Sequence, residues 1–191
     1  FVVAFLDGCV DGFVAGCVLT PKLIRRVGHI RLFTAMVAVA SVVPLLHAIL
    51  VGAPGWWLLR GMTGLCMAGL YLIIEGWLNE RASPENRGMI FTTYTTVNFS
   101  VITLGQMLML VDDPLRFHLF SLASILVSLA AVPVALTRSP QPAPISSARL
   151  SPRSLYRVSP VGVAGVLTVG LANGAFWGMA PAFASQIGFT V

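Results

Sequence analysis

The sequence predicts an all-α fold, a polytopic bundle of transmembrane helices. Its composition is 57% hydrophobic and only 10% charged, whereas about a quarter of the residues in soluble domains are charged. The apolar residues fall into blocks of about twenty, the length that an α-helix needs to cross a bilayer. These blocks are apolar on all sides, whereas a surface helix of a soluble domain carries a one-sided stripe. We therefore expect about six membrane spans.

Turn and helix-start signals separate the six apolar blocks. The blocks cover approximately residues 1–20, 32–51, 56–78, 83–111, 113–137 and 160–183. Thr20-Pro21 is expected to end the first block, while Ser83-Pro84, Asp113-Pro114 and Ser159-Pro160 each combine an N-cap residue with a first-turn proline, a common helix start. The six blocks are thus expected to be separate helices.

The spacing of the blocks predicts three regions. Residues 1–137 are expected to form an N-terminal half bundle of about five spans, residues 138–159 a cytoplasmic linker, and residues 160–191 the first helix of a second half. Within the linker, Ser151-Pro152 is predicted to start a short amphipathic helix on the membrane surface. Because residue 1 lies inside an apolar block, we expect that an earlier helix precedes it in a longer protein.

The positive charges predict the orientation of the spans. Ten Lys and Arg residues lie in the connections after the first, third and fifth spans: Lys22, Arg25, Arg26, Arg31, Arg81, Arg87, Arg138, Arg149, Arg153 and Arg157. The other two connections contain Arg116 alone. Since cytoplasmic loops are enriched in Lys and Arg, the ten-residue side is predicted to be cytoplasmic and the N-terminus to lie outside.

The same residues argue against nucleic-acid binding and against enzymatic activity. The net charge of +5 is spread over loops and forms no single basic patch. Cys9, Cys17 and Cys66 lack metal-ligand spacing, and the three histidines fall in separate segments without a hydrolase motif. We therefore predict no catalytic residues, no metal and no cofactor.

Two short motifs resemble signatures of the major facilitator superfamily. The segment from Pro21 to Arg31 resembles G-x-x-x-D-R-x-G-R-R, which lies between the second and third family helices. Arg26 and Gly28 match it, whereas Arg25 replaces the Asp. Arg60-Gly-Met-Thr-Gly64 resembles the R-x-x-q-G signature of the fourth helix. The segment from Glu75 to Ala82 is similar to a group of bacterial permeases in this superfamily.

The resemblance implies a major-facilitator topology in which the six spans correspond to family helices two to seven. It further implies secondary transport of a small-molecule substrate by alternating access, with protons as the coupling ion, in the bacterial inner membrane. The antiporter signature of the fifth family helix is absent, since the fourth span reads Leu104-Gly-Gln-Met107. A non-transporting membrane receptor or assembly subunit remains the alternative.

Ionisable residues inside the spans are the candidate functional groups, because burying a charge in a bilayer is costly. Asp11, Asp7 and Glu75 are the candidate proton-coupling residues, and Asp11 lies nearest to the middle of its span. Asp7 and Arg60 are expected at a similar depth and are predicted to pair. A structural role for each of these residues is the competing interpretation.

Uncharged polar residues form a second set of candidates. Tyr94, Asn98 and Gln106 in the fourth span and Asn173 in the last span either line a substrate cavity or bond to neighbouring helices. Interhelical bonding is the commoner role of such residues, and we favour it for each of them taken singly.

Two glycine patterns predict close helix packing. The first span contains Gly8, Gly12 and Gly16, and the last contains Gly170, Gly174 and Gly178. The GxxxGxxxG spacing places a flat strip on one helix face, where another backbone can approach closely.

Overall fold

The computed structural model describes the backbone of residues 2–50, 52–108, 110, 117–136 and 152–188. The regular elements in these ranges are all α-helices: α1 (Val2–Val27), α2 (His29–Ile49), α3 (Ala53–Arg81), α4 (Arg87–Leu108), α5 (Phe117–Ala135), α6 (Pro152–Val158) and α7 (Pro160–Gln186). The all-α fold is confirmed. The chain divides into two compact units, Phe1–Ile145 and Ser146–Val191.

Three of these helices, α2, α3 and α5, are each long and apolar enough to cross a membrane. The apolar stretch at the start of α7, Pro160–Phe176, is shorter. The protein is therefore a multi-pass helical membrane protein. Crossings by α1, α4 and α7 remain predictions from the sequence.

The boundaries of α1 and α4 differ from the sequence prediction. Helix α1 does not stop at Thr20 but continues through Pro21 to Val27. An interior proline removes a backbone hydrogen bond and clashes with the preceding turn, and the packing of the buried residues Thr20 and Ile24 offsets this cost. Helix α4 begins after a turn, in which the Ser83 amide donates to the Asn86 side chain (2.8 Å). In this turn the Ser83 hydroxyl donates a hydrogen bond to the Glu85 carboxylate. This bond lowers the pKa of Glu85 below its ordinary value. The start signal Asp113-Pro114 lies outside the described residues.

Helices α1 and α3 pack through a seam of small residues. A Cβ built on Gly8 would meet Trp57, one on Gly12 would overlap Gly61, and one on Gly16 would meet Leu65. The contacts advance four residues at a time in the same direction on both helices, so α1 and α3 run parallel. This confirms the close packing predicted for the first glycine strip.

The main apolar core lies where α1, α2, α3 and α5 meet. Its buried members are Ile24, Leu32, Phe33, Met36, Val37 and Ile73, and Val127, Ala131 and Val134 of α5 pack against them. Helix α2 packs on both α3 and α5, whereas α4 touches α3 at only a few residues. All these core residues lie toward the predicted cytoplasmic ends of their helices.

The second unit contains α6 and α7, which pack on each other. The Ser159 hydroxyl accepts a hydrogen bond from the Gly162 amide (3.2 Å), as expected of an N-cap residue. The predicted starts at Pro152 and Pro160 are both confirmed. A Cβ on Gly170 or Gly174 would meet no atom within 4 Å, so within the described part of this unit the second glycine strip has no packing partner.

Candidate functional site

A cavity beside the α1–α3 seam, open at the helix surface, is bordered by one of the predicted coupling acids, Glu75, whose side chain is exposed. Its volume is about 350 Å³, and its lining comes from both helices: Phe13, Cys17, Ala68, Tyr71, Leu72 and Glu75. Among the described residues that line it, Glu75 alone is charged.

A second element brings a tyrosine to the same carboxylate. The hydroxyl group of Tyr94, on α4, is buried and lies near Glu75 and Tyr71. It makes no hydrogen bond of good geometry with the described residues. A phenolic hydroxyl can both donate and accept, so a small movement would let Tyr94 donate to an ionised Glu75. Helices α1, α3 and α4 thus all contribute side chains near the Glu75 carboxylate.

Asp11 lies on a different side of α1. It is exposed, and its position is two residues from that of Phe13, about 200° around the helix axis. Phe13 faces the Glu75 cavity, so Asp11 faces away from it. The side chain of Asp7 lies outside the described residues, and the predicted Asp7–Arg60 pair remains a prediction.

Arg60 belongs to a cluster at the predicted outer end of the bundle. It is partly buried and lies close enough to Cys9 of α1 and His47 of α2 to interact with both electrostatically. The His47 ring is nearly fully buried and meets Trp56 edge-on, with ring centroids 4.9 Å apart. Its Nδ1 atom bonds the Val43 carbonyl oxygen (2.9 Å). The cluster joins α1, α2 and α3 at the end opposite the apolar core.

For three residues that match the two family signatures, the backbone conformation, the helix packing or the helix dipole gives a structural role. Gly28 connects α1 and α2 with φ 84° and ψ 164°, a conformation that is essentially restricted to glycine. Gly64 belongs to the seam, since a Cβ there would overlap the backbone of Cys9 and Phe13. Arg26 is exposed in the last turn of α1, where a positive charge interacts favourably with the helix dipole.

The remaining polar candidates do not join the Glu75 cavity. Gln106 is exposed and Asn98 partly exposed on α4, and neither lines the cavity. The Asn173 side chain donates to the Val169 carbonyl oxygen of its own helix (3.2 Å). That bond lies within one helix, and an interhelical bond of Asn173 stays a prediction.

Sequence reasoning identified only Glu75 among the six residues that line the cavity. Tyr71 lies one helical turn before Glu75, so the four-residue spacing could have identified it. Phe13 and Cys17 share the same spacing on α1. Their proximity to Glu75 depends on how α1 and α3 align, and no signal within either segment reports that alignment.

Comparison with known proteins supports the family resemblance. The chain is 24% identical over 181 residues to proteins named "Uncharacterized MFS-type transporter YcaD" from Salmonella paratyphi B, Salmonella newport and Salmonella heidelberg. The match covers 93% of this chain and 47% of each relative, so the chain spans about half the length of these relatives. No protein-family model matches, and no solved structure matches significantly.

The fold, the membrane-crossing helices and the relatives agree on one class of protein. The chain is an all-α membrane protein similar to major-facilitator-type transporters along nearly its whole length. The predicted resemblance is confirmed, and the relatives carry the name of MFS-type transporters.

Proposed function

We propose that the protein carries out secondary transport of a small solute across the bacterial inner membrane by alternating access, driven by protons. The observation that carries this proposal is the cavity in which Glu75, alone among the described lining residues, is charged and the Tyr94 hydroxyl group lies close by. A carboxylate inside a membrane helix is costly and usually marks an ion or substrate pathway.

Glu75 suits a proton carrier better than Asp11 does. Both side chains are exposed, but Glu75 borders a space large enough for a solute and has the Tyr94 hydroxyl group nearby as a hydrogen-bond donor. Asp11 faces away from that space. We therefore assign the coupling role to Glu75 and retain Asp11 as the comparison residue.

The packing of α1 on α3 also fits a moving bundle. Backbones that meet through glycine present a smooth surface with few interlocking side chains. Alternating access requires groups of helices to rock against one another around a central site. The glycine seam runs beside the cavity and would permit α1 to slide along α3 without a change in the distance between the two helices.

Proton movement through the full-length protein tests the proposal. The protein is reconstituted into liposomes containing a pH-sensitive dye, a pH gradient is imposed, and amino acids, sugars and quaternary ammonium ions are added in turn. We expect at least one solute to accelerate proton movement in protein-containing liposomes and not in empty ones. Specific solute binding without solute flux or proton movement would instead indicate a membrane receptor.

A further inference from the structure

Helix α6 carries its charged and its apolar side chains on different faces. Arg153 and Arg157 are one helical turn apart and share a face, whereas Leu155 and Val158 lie on the opposite side. All four side chains are exposed, and the exposed fractions of Leu155 and Val158 are 44% and 83%. A helix of seven residues is marginal in water on its own. We therefore expect a partner outside the described residues to stabilise α6.

The charge of this region indicates that the partner is negative. Residues 138–191 contain four arginines and no Lys, Asp or Glu, so no acid within this stretch neutralises them. Arg153 lies in the first turn of α6, where the helix dipole disfavours a positive charge. The helix itself therefore gives no reason for a cation at Arg153, whereas an external anion does.

The position of α6 in the chain points to lipid headgroups. Ser159 alone separates α6 from α7, whose first part, Pro160–Phe176, is apolar. Arg153 precedes Pro160 by seven residues, about 10 Å along a helix. The sequence predicts that α7 crosses the membrane from its cytoplasmic side. Clusters of about four or more Lys and Arg beside the cytoplasmic end of a membrane helix attract anionic lipids.

We propose that α6 docks on anionic phospholipids of the cytoplasmic leaflet. Leu155 and Val158 enter the boundary between headgroups and acyl chains, and Arg153 and Arg157 lie at the level of the phosphate groups. A guanidinium group forms two parallel hydrogen bonds with a phosphate. Tyr156, between the two faces, has the amphipathic ring that is common at this depth. The contact would hold the start of α7 at the membrane surface, apart from any role of the Glu75 cavity.

Lipid titration of the full-length protein in neutral detergent tests the charge preference. Native mass spectrometry counts bound phosphatidylglycerol and, separately, bound phosphatidylcholine. Each arginine contributes about fivefold to the affinity for an anionic surface, so Arg153→Gln with Arg157→Gln should weaken one phosphatidylglycerol-binding step about 25-fold. Replacing both with Lys keeps the charge and should retain most of the binding. The matched control, Lys22→Gln with Arg25→Gln, removes two exposed charges from the end of α1 and should leave this step unchanged.

Labelling at position 158 tests whether the apolar face meets the membrane. The Val158→Cys variant is placed in nanodiscs of phosphatidylcholine with or without phosphatidylglycerol, and a membrane-impermeant maleimide is added. Mass spectrometry of the peptide follows the reaction at this position. We expect phosphatidylglycerol to slow the labelling several-fold and expect this protection to be lost when Arg153 and Arg157 are both replaced by Gln. Glycerol phosphate, which has the phosphate but no acyl chains, should give no protection.

Four results would overturn the proposal. The first is equal binding of the two lipids by the wild-type protein, and the second is an equal loss of phosphatidylglycerol binding in the Lys22 and Arg25 control. The third is equal protection by glycerol phosphate, which would indicate a phosphate site. The fourth is protection at position 158 in every lipid and in detergent, which would indicate that protein covers α6. Neither experiment measures solute flux, so this proposal and the transport function fail independently.

Discussion

Gly12 of α1 lies directly against Gly61 of α3: the Gly61 carbonyl group fills the space that a Cβ on Gly12 would occupy. Both contacting groups are backbone, so neither can rotate away as a flexible side chain could. This contact fixes the distance between the two helices whose side chains line the Glu75 cavity.

We predict that Gly12→Ala destabilises the protein because α1 and α3 must separate to admit the methyl group. Overpacking of this kind costs about 1–3 kcal/mol. The matched control is Gly76→Ala, also within a helix, where a Cβ would meet no atom within 4 Å. Melting temperatures of the full-length protein in detergent should fall for Gly12→Ala and stay unchanged or rise for Gly76→Ala. Equal melting temperatures would contradict the close approach.

Gly28→Ala should also destabilise the protein, for a different reason. The backbone at Gly28 has φ 84° and ψ 164°, and an alanine forced into such a region costs about 1–3 kcal/mol. Gly88→Ala, in the first turn of α4 with open space around its Cβ, is the control. If Gly28→Ala melted at the wild-type temperature, the one-residue connection between α1 and α2 would have a different backbone geometry.

The first glycine strip and the connection at Gly28 show what the sequence could and could not predict. The four-residue spacing of Gly8, Gly12 and Gly16 identified a face made for close packing. The residues of α3 that contact this face, Gly61 among them, could not be predicted, because the periodicity within one helix does not show which other helix packs on it. The end of α1 was predicted wrongly because the turn signal at Pro21 was weaker than the tertiary packing of that turn.

For the candidate site, too, the sequence predicts a feature within one helix but not the residues that other helices bring to it. Glu75 could be identified because a charge in an apolar span is conspicuous. Its surroundings depend on the alignment of α1, α3 and α4, which brings Phe13 and Tyr94 near it from separate parts of the sequence. Asp11 looked stronger in the sequence because it lies nearer the middle of its span, but depth along a helix does not tell which direction a side chain faces.

The charge bias predicts the membrane orientation. A cysteine introduced as Ser147→Cys, in the predicted cytoplasmic linker, should resist a membrane-impermeant maleimide added to intact cells and react after the membrane is opened. Gly52→Cys, in the connection between α2 and α3, should react in intact cells. Labelling of Ser147→Cys from outside would contradict the predicted topology.

The predicted pair of Asp7 and Arg60 is tested by a double-mutant comparison. Arg60→Ala alone would leave a carboxylate without its partner inside the bundle and should lower the melting temperature markedly. Replacing both residues, as Asp7→Asn with Arg60→Gln, should be milder, because no charge is then left unpaired. If the decrease in melting temperature in the double variant equalled the sum of the decreases in the two single variants, the two side chains would not interact.

The coupling role of Glu75 is the central claim, and uphill transport compared with exchange tests it most directly. The measurement uses the full-length protein in liposomes and a solute that moves protons through the wild-type protein. We predict that Glu75→Gln loses accumulation driven by a pH gradient but still exchanges solute across the membrane, because glutamine keeps the shape of the side chain but cannot bind and release a proton. Asp11→Asn should retain both activities. Full accumulation by Glu75→Gln, or loss of accumulation in Asp11→Asn alone, would contradict the account.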